Sequence, residues 1–379
     1  MSSALQLDIA GFLADYWQQQ PLLIKQGWPE FADPLAPELL AGLALEEGVD
    51  SRVIEQRQQQ WLVTHGPFED YEAFGEEDWT LLVQSVNEWF PEVQQLLEPF
   101  RFLPDWRTDD VMISFAVPGG SVGPHLDQYD VFIIQGLGRR HWQVGNRLSD
   151  AAEHRPHPDL KQLQQSFTPC IDAVLETGDI LYIPAGCPHH GVALEPSLNY
   201  SVGFRAPNTA ELAAQVADML LATEQQFPRY QDPHADSYGP AWQVSAPQLT
   251  HLKQFLLDHL RGDTQLDTAL LQVMSQSKRP LPQPDHEIDA AELLAYSGTD
   301  MLLCRTPGAR ILVGPDAVLY ANGEIYAVDS EVMDFARQLA ALWQDQPLCE
   351  VSQLSRPAAT QLLCDLLNTG VFHLVQEAG

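Results

Sequence analysis

The stretch VMISFAVPGGSVGPHLDQYDVFIIQGLGRRHWQV, residues 111–144, decides the fold. It sets three short β-like runs, Val111 to Val117, Val131 to Ile134 and Arg139 to Val144, between turns built from Gly and Pro. Two further runs of the same kind follow at Asp179 to Pro184 and Asn199 to Phe204. Short strands at close spacing, with turn residues and no long helix between them, predict an antiparallel sandwich or barrel of the jelly-roll kind.

The same stretch carries candidate chemistry. His125 and Asp127 follow the loop Pro118 to Pro124 with one residue between them. In an extended strand such positions share a face, so both side chains can reach one ion. Such a pair is common by chance, and a surface hydrogen-bonded pair is its alternative reading. A third candidate stands downstream in Gly178-Asp-Ile-Leu-Tyr-Ile-Pro-Ala-Gly-Cys-Pro-His189-His190-Gly191, where a strand ends in a Pro/Gly turn that returns a histidine to the mouth of the sheet. Two imidazoles and a carboxylate on one side of a metal describe non-haem Fe(II) oxygenases, but three protein ligands also describe catalytic zinc.

Arg140 discriminates further. Alternation along Gly138 to Val144 puts it on the apolar face with Trp142 and Val144, while Arg139, His141 and Gln143 share the other. An inward arginine is costly unless an anion pairs with it, and its planar fork matches a carboxylate. That anion is either a bound ligand or an internal Asp or Glu. Ser114 shares a face with Met112 and Ala116, so its hydroxyl faces where a ligand oxygen would lie.

Outward from this block, residues 1 to about 100 read as mostly helical, with one strand at Pro21 to Lys25. After Pro207, Asn208 caps an amphipathic helix running through Phe227. A polar stretch, Pro228 to Pro247, leads into helices Gln248 to Arg261, ended by Gly262, and Thr264 to about Ser277. Apolar faces on so short a helical block need a partner, which predicts a homodimer. Beyond the linker Lys278 to Asp285, an Asn322-Gly323 hairpin joins Ala317 to Tyr320 with Glu324 to Ala327. Two helices follow, Ser330 to about Trp343 and Ser355 to Leu367, the second with a Ser cap and Pro357 in its first turn; a strand from Val371 to Val375 closes a winged-helix-like order.

Composition bounds the partners. Fifty-two acidic residues against 20 basic ones give a net charge of −32, which repels nucleic-acid phosphate and anionic lipid and favours a basic protein. No apolar run approaches the roughly 18 residues of a spanning helix, and the start lacks a signal-peptide pattern, so a cytoplasmic enzyme with no membrane contact and no direct nucleic-acid binding is expected. Five cysteines, widely spaced and never CxxC, argue against a disulfide framework or a structural zinc site.

Taken together, Phe12 to Trp17 with Pro21 to Ile24, Asp110 to Phe115, Pro118 to Gly136, Gly138 to Arg140, Gly178 to His189 and Asn199 to Pro207 resemble the JmjC-type oxygenases, and within them the bacterial ribosomal-protein arginine hydroxylases. The resemblance covers the first 207 residues, and the tail agrees in order. It implies an α+β chain: a double-stranded β-helix (jelly-roll, cupin-like) catalytic domain over 1–207, a helical dimerisation region over 208–278 and a winged-helix-like domain over 286–379. It also implies that His125, Asp127 and His189 hold Fe(II), and that Arg140 with Ser114 binds the cosubstrate 2-oxoglutarate. His189 rather than His190 matches the motif, because it directly follows the proline. The implied reaction uses dioxygen to hydroxylate the β-carbon of an arginine in a large-subunit ribosomal protein. N-methyl demethylation at the same site, or a non-enzymatic acidic adaptor for basic proteins, are the competing readings.

Overall fold

A computed structural model describes residues 5–58, 60–148, 152–222, 226–232, 243–261, 264–315 and 318–376. The chain begins with α1 (Ile9–Asp15), capped by the Asp8 carboxylate, which accepts from the Gly11 amide. Strand β1 (Leu22–Ile24) and helix α2 (Pro37–Leu43) follow, then β2 (Ser51–Arg57), β3 (Gln60–His65), β4 (Trp79–Val83), the single turn α3 (Pro91–Gln94) and β5 (Thr108–Ala116). Next come β6 (Asp130–Gln135), β7 (Arg140–Gly145), β8 (Glu153–His157), β9 (Leu160–Leu163), β10 (Pro169–Leu175), β11 (Ile180–Ile183), β12 (His189–Ala193) and β13 (Ser197–Phe204).

Eight of these strands form one sheet in the order β1-β11-β6-β13-β5-β4-β2-β3, and a second sheet, β10-β7-β12, faces it. Every pairing within the two is antiparallel. The jelly-roll expectation holds. The first hundred residues differ from the reading as mostly helical, because β2, β3 and β4 extend the large sheet. Ser51-Arg-Val-Ile-Glu-Gln-Arg57 is too polar to announce a strand; its partner β4, itself paired with β5 through Thr80↔Ala116 to Val83↔Ile113, makes it one.

Strand β6 shows how the layers divide. Phe132 and Ile134 point into an outer core with Phe12, Tyr182, Tyr200 and Phe204, roofed by α1 and α2. Val131 and Ile133 point the other way, into an inner core with Trp142, Val144, Leu175 and Leu181 from between the sheets. Both faces are buried, which is why this strand reads as an unbroken apolar run. A second inner cluster, Ile54, Leu82 and Leu160, sits where the β8–β9 hairpin covers β2 and β4. The cavity described below takes its walls from both inner clusters.

After β13 the chain becomes helical. In α4 (Thr209–Ala222) Asn208 is the cap as expected: its Oδ1 accepts from the Ala210 and Glu211 amides, both at 2.9 Å, and the Glu211 carboxylate accepts from the Asn208 amide. The expected helix through Phe227 is corrected, since Gln226 and Phe227 are not helical; residues 223–225, much of the stretch to Pro247 and Gly262 lie outside the described residues. Helix α5 (Ala246–Arg261) starts earlier than expected, because Ser245 and Gln248 form a reciprocal capping box ahead of it. Helix α6 (Thr264–Ser275) follows.

The C-terminal unit has its own core, centred on Leu293, Leu303, Phe335, Leu363 and Leu366. It comprises α7 (Ala290–Tyr296), β14 (Met301–Arg305), β15 (Ile311–Val313), β16 (Leu319–Ala321), β17 (Glu324–Tyr326), α8 (Met333–Ala341), β18 (Gln346–Pro347), α9 (Pro357–Asn368) and β19 (Phe372–Gln376). The Asn322-Gly323 turn joins β16 to β17 with both residues at positive φ, 49° and 84°, the conformation that favours this dipeptide in two-residue hairpins. Ala317, expected in the first strand of that hairpin, lies outside the described residues. The expected Ser355 cap is corrected: Pro357 takes the first helical position, so Arg356 is the capping residue, without a side-chain bond.

This unit is tied to the start of β5. Lys278 bridges Asp109 and Asp110 at 3.3 and 3.0 Å, Arg310 Nη2 donates to the Thr108 carbonyl at 2.8 Å, and Arg101 and Arg305 stack on Trp343. Asp110 is also held by the Ser85 amide and hydroxyl. The strand that presents Ser114 is thereby anchored at its entry.

Candidate metal centre

The loop from Pro118 to Pro124 owes its path to glycine. Gly123 has φ +78°, and a Cβ there would meet Gln162 Nε2 at 2.0 Å, the same amide that donates to the Val122 carbonyl. Ser121 Oγ donates to the Gly191 carbonyl at 2.7 Å and accepts from the Gly123 amide at 3.0 Å. The loop delivers His125 to the start of β12, where His125 and His189 form an antiparallel bridge: the amide of each donates to the carbonyl of the other, at 3.0 and 2.8 Å.

One ligand atom from each of His125, Asp127 and His189 lies within 4.8 Å of the other two. Asp127 Oδ2 is 4.0 Å from His125 Nε2 and 3.6 Å from His189 Nε2. The other ring nitrogens are engaged: His125 Nδ1 is 2.9 Å from the Gly123 carbonyl and His189 Nδ1 is 3.0 Å from the Cys187 carbonyl. A carbonyl only accepts, so each Nδ1 carries the proton and each Nε2 keeps its lone pair toward Asp127. Burial of His189, with the His125 imidazole beside it, pushes its pKa down to about 4, which keeps the ring neutral. His190, one residue on, faces away from the cluster and pairs in register with Gln143.

Arg140 projects from β7 into the same cavity, 7 % exposed. Its Nε donates to Ser197 Oγ at 2.9 Å, Nη1 to Ser114 Oγ at 2.8 Å, and Nη2 to the carbonyls of Ser114 and Ser197 at 2.8 and 3.0 Å. All four partners are neutral, and no described carboxylate forms an ion pair with it; the internal salt-bridge alternative is removed. Burial without a compensating charge lowers its pKa to about 9. A buried cation in this state lacks only an anion, and one N–H of Nη1 remains to meet it. The outward parity of Arg139, His141 and Gln143 holds too, since Arg139 pairs with Glu195 while His141 and Gln143 meet Asp172.

Together these residues line one cavity of about 320 Å³. Ser114 lies on its wall beside Met112, as parity predicted. Three lining residues carry a buried polar atom that the sequence reading did not assign to the site. Asn199 is held by donating Nδ2 to Gln135 Oε1 at 2.8 Å, and Gln135 is itself fixed because the two hydrogens of its Nε2 are shared among three carbonyls, those of Leu137, Gly138 and Leu198. The Asn199 Oδ1 acceptor is therefore left buried and unpartnered. Trp142 Nε1 is likewise unpartnered; its ring lies 6.1 Å from that of His189 and against Gly191, where a Cβ would approach within 2.7 Å. Arg52 is the third, with Nε buried and unpartnered. The spacing Ser197, Asn199, Ser201 along β13 carried the signal for Asn199; Arg52 had none, because β2 itself was not recognised.

The donor set fits a divalent first-row metal. Two neutral imidazole nitrogens and one carboxylate on one side, with the cavity opposite, suit Fe(II) better than a closed structural site. The unpaired Arg140 on the same cavity fits a ligand with a free carboxylate.

Comparison with known proteins agrees with this chemistry. Residues 95–212 match the JmjC domain family and residues 254–373 the ROXA-like winged helix family, the latter match beginning within α5. The chain is 46 % identical over 329 residues to the ribosomal protein uL16 3-hydroxylase of Escherichia coli K12, spanning 86 % of this chain and 87 % of that protein. It is 33 % identical over 347 residues to a probable ribosomal oxygenase of Haemophilus influenzae, with 85 % and 84 % covered. The solved structure of the E. coli ribosomal oxygenase YcfD in complex with cobalt and 2-oxoglutarate superposes with a TM-score of 0.88 at 41 % identity, over 98 % of this chain and 99 % of that one.

Proposed function

The chain belongs to the JmjC-domain ribosomal oxygenases, and from that membership and the cavity we infer that it is an Fe(II)- and 2-oxoglutarate-dependent dioxygenase hydroxylating the β-carbon of an arginine in large-subunit protein uL16. The observation that carries the reading is Arg140, a buried guanidinium with only neutral partners on the same cavity as a His/Asp/His cluster.

His125, Asp127 and His189 are the residues proposed to hold the iron, and Arg140 with Ser114 the distal carboxylate of 2-oxoglutarate. Bound there, iron and cosubstrate would supply, with dioxygen as oxidant, insertion of one oxygen atom into a C–H bond while the other oxygen atom goes into the succinate formed as 2-oxoglutarate loses carbon dioxide. The chain's part is to orient and to exclude water. The carbonyls of Gly123 and Cys187 fix both imidazole tautomers, the cross-strand bridge fixes their separation, and Trp142 with Ile133 and Val131 keeps the inner cavity apolar around the Arg140 fork.

A net charge of −32 is complementary to a basic ribosomal protein and speeds the encounter. A substrate on the ribosome supports a cytoplasmic location; no helix among the described residues is long and apolar enough to cross a membrane. Incubation of the purified protein with recombinant uL16, Fe(II) and 2-oxoglutarate tests the assignment by mass spectrometry. A gain of one oxygen on an arginine is expected. Loss of a methylene group would establish demethylation instead, and an unchanged mass would leave the adaptor reading.

The helical region supports a homodimer. No described side chain of α5 is buried, while Leu249, Leu252, Leu256 and Leu257 are 47, 48, 58 and 42 % exposed along it. A stripe of this kind on a helix is costly in water and is covered by a second copy in the proposed assembly. The double change Leu252→Asp and Leu256→Asp is expected to halve the mass seen by light scattering; an unchanged mass would place the interface elsewhere.

A further inference from the structure

A second basic side chain without an anionic partner stands at the other end of the cavity from Arg140. Arg52 lies on β2, which β4 separates from the Ser114 strand, so it sits about 10 Å across the sheet at ordinary strand spacing. Its Nε is buried, and none of the described residues hydrogen-bonds or ion-pairs with its guanidinium. A donor in that state costs free energy until an acceptor arrives.

One carboxylate at this end of the cavity is already engaged. Across the β2–β3 ladder Arg52 faces His65, and His65 Nε2 is 3.3 Å from Asp159 Oδ2 at the turn of the β8–β9 hairpin. Asp159 therefore lines the same end of the cavity without forming an ion pair with Arg52. The two present complementary groups: the guanidinium only donates, and the carboxylate only accepts. Between them the wall is apolar, made by Ile54, Leu82 and Leu160.

A free carboxylate would suit Arg52 and be repelled by Asp159, and a cationic side chain would meet the reverse. A peptide unit suits both, since its carbonyl accepts and its N–H donates in opposite directions. We propose that Arg52 and Asp159 are the residues that seat the substrate's main chain, Arg52 donating to a backbone carbonyl next to the modified residue and Asp159 accepting from a backbone amide. This rests on the reading of the protein as a uL16 hydroxylase, and it names where the polypeptide crosses the cavity.

Initial rates with recombinant uL16 as the varied substrate test it. Arg52→Met keeps the apolar stem and removes every donor. It is expected to raise KM for uL16 about tenfold or more, the loss of a hydrogen bond to a charged group, with kcat and KM for 2-oxoglutarate each within about twofold. Asp159→Asn is expected to raise the same KM less, and Arg52→Lys to fall between wild type and Arg52→Met. A uL16 fragment whose Asp and Glu are changed to Asn and Gln should show the same tenfold effect, because the partner is main chain. An unchanged KM for uL16, a rise confined to 2-oxoglutarate, or loss of the effect with the fragment would each overturn the proposal. If Arg52→Met loses the wild-type melting transition, Arg52→Gln is read in its place. Failure of the wild-type protein to oxidise uL16 would instead overturn the function on which the proposal stands.

Discussion

His125→Ala and Asp127→Ala are each expected to abolish uL16-dependent succinate formation, with a fall well beyond the hundredfold or so that loss of an outer supporting contact costs. The three donor atoms lie within 4.8 Å of one another, and no other described His, Cys, Asp or Glu side chain joins that cluster, so the described residues offer no replacement for a lost ligand. Chelation of the metal from the wild-type protein should reproduce the loss, and added Fe(II) should restore the wild-type protein but neither variant. The Mn(II) affinity, read by calorimetry without turnover, is expected to drop in parallel. Wild-type-like succinate formation in either variant would sink the assignment of the metal ligands. His190→Ala is the contrasting case: its ring faces away from the cluster, so metal affinity should be kept.

The second large effect concerns Arg140. Replacing it by Met removes the buried positive charge while keeping much of the stem, and KM for 2-oxoglutarate is expected to rise about a hundredfold or more, the scale of breaking one partner of a buried, hydrogen-bonded charge pair. Thermal melting gives a reading independent of turnover. At a ligand concentration about a hundred times its Kd, binding adds about 2.7 kcal/mol to the folded state, a shift of several degrees. That shift should appear in the wild-type protein with metal and 2-oxoglutarate and be absent from Arg140→Met. Arg140→Lys restores the charge without the fork that Ser114 and Ser197 grip, so only part of the shift should return. A full shift in Arg140→Met would show that the cosubstrate carboxylate lies elsewhere. The variant leaves the carbonyls of Ser114 and Ser197 without their donor, so its unliganded melting temperature is a separate quantity and does not bear on the test.

The anchoring of β5 gives these side chains their rigidity. Ser114 is in the middle of that strand, paired to Asn199 on one side and Leu82 on the other, while Lys278 from the linker and Arg310 from the C-terminal unit hold its entry. Positioning of this kind is worth having in a site whose chemistry belongs to the bound groups, because the protein's contribution is geometry.

By itself the sequence determined the jelly-roll class, the candidate ligands and the inward direction of Arg140, since each follows from local rules: turn chemistry at Gly and Pro, and the period of two that sends Arg140, Trp142 and Val144 to one face. The capping of α4 by Asn208 and the Asn322-Gly323 hairpin were legible for the same reason. Tertiary structure alone decided the rest. Strands β2 to β4 exist because β5 offers them an edge, and Arg52 entered the cavity wall with them. Whether Arg140 had an acid partner depended on which residues met it from β5 and β13, and they proved to be two serines. Asn199 became a fixed acceptor only through Gln135, on the neighbouring strand β6. His189 and not His190 meets Asp127 because the bridge to His125 sets the register of β12, and a register is a property of two strands together, which one segment of chain does not contain.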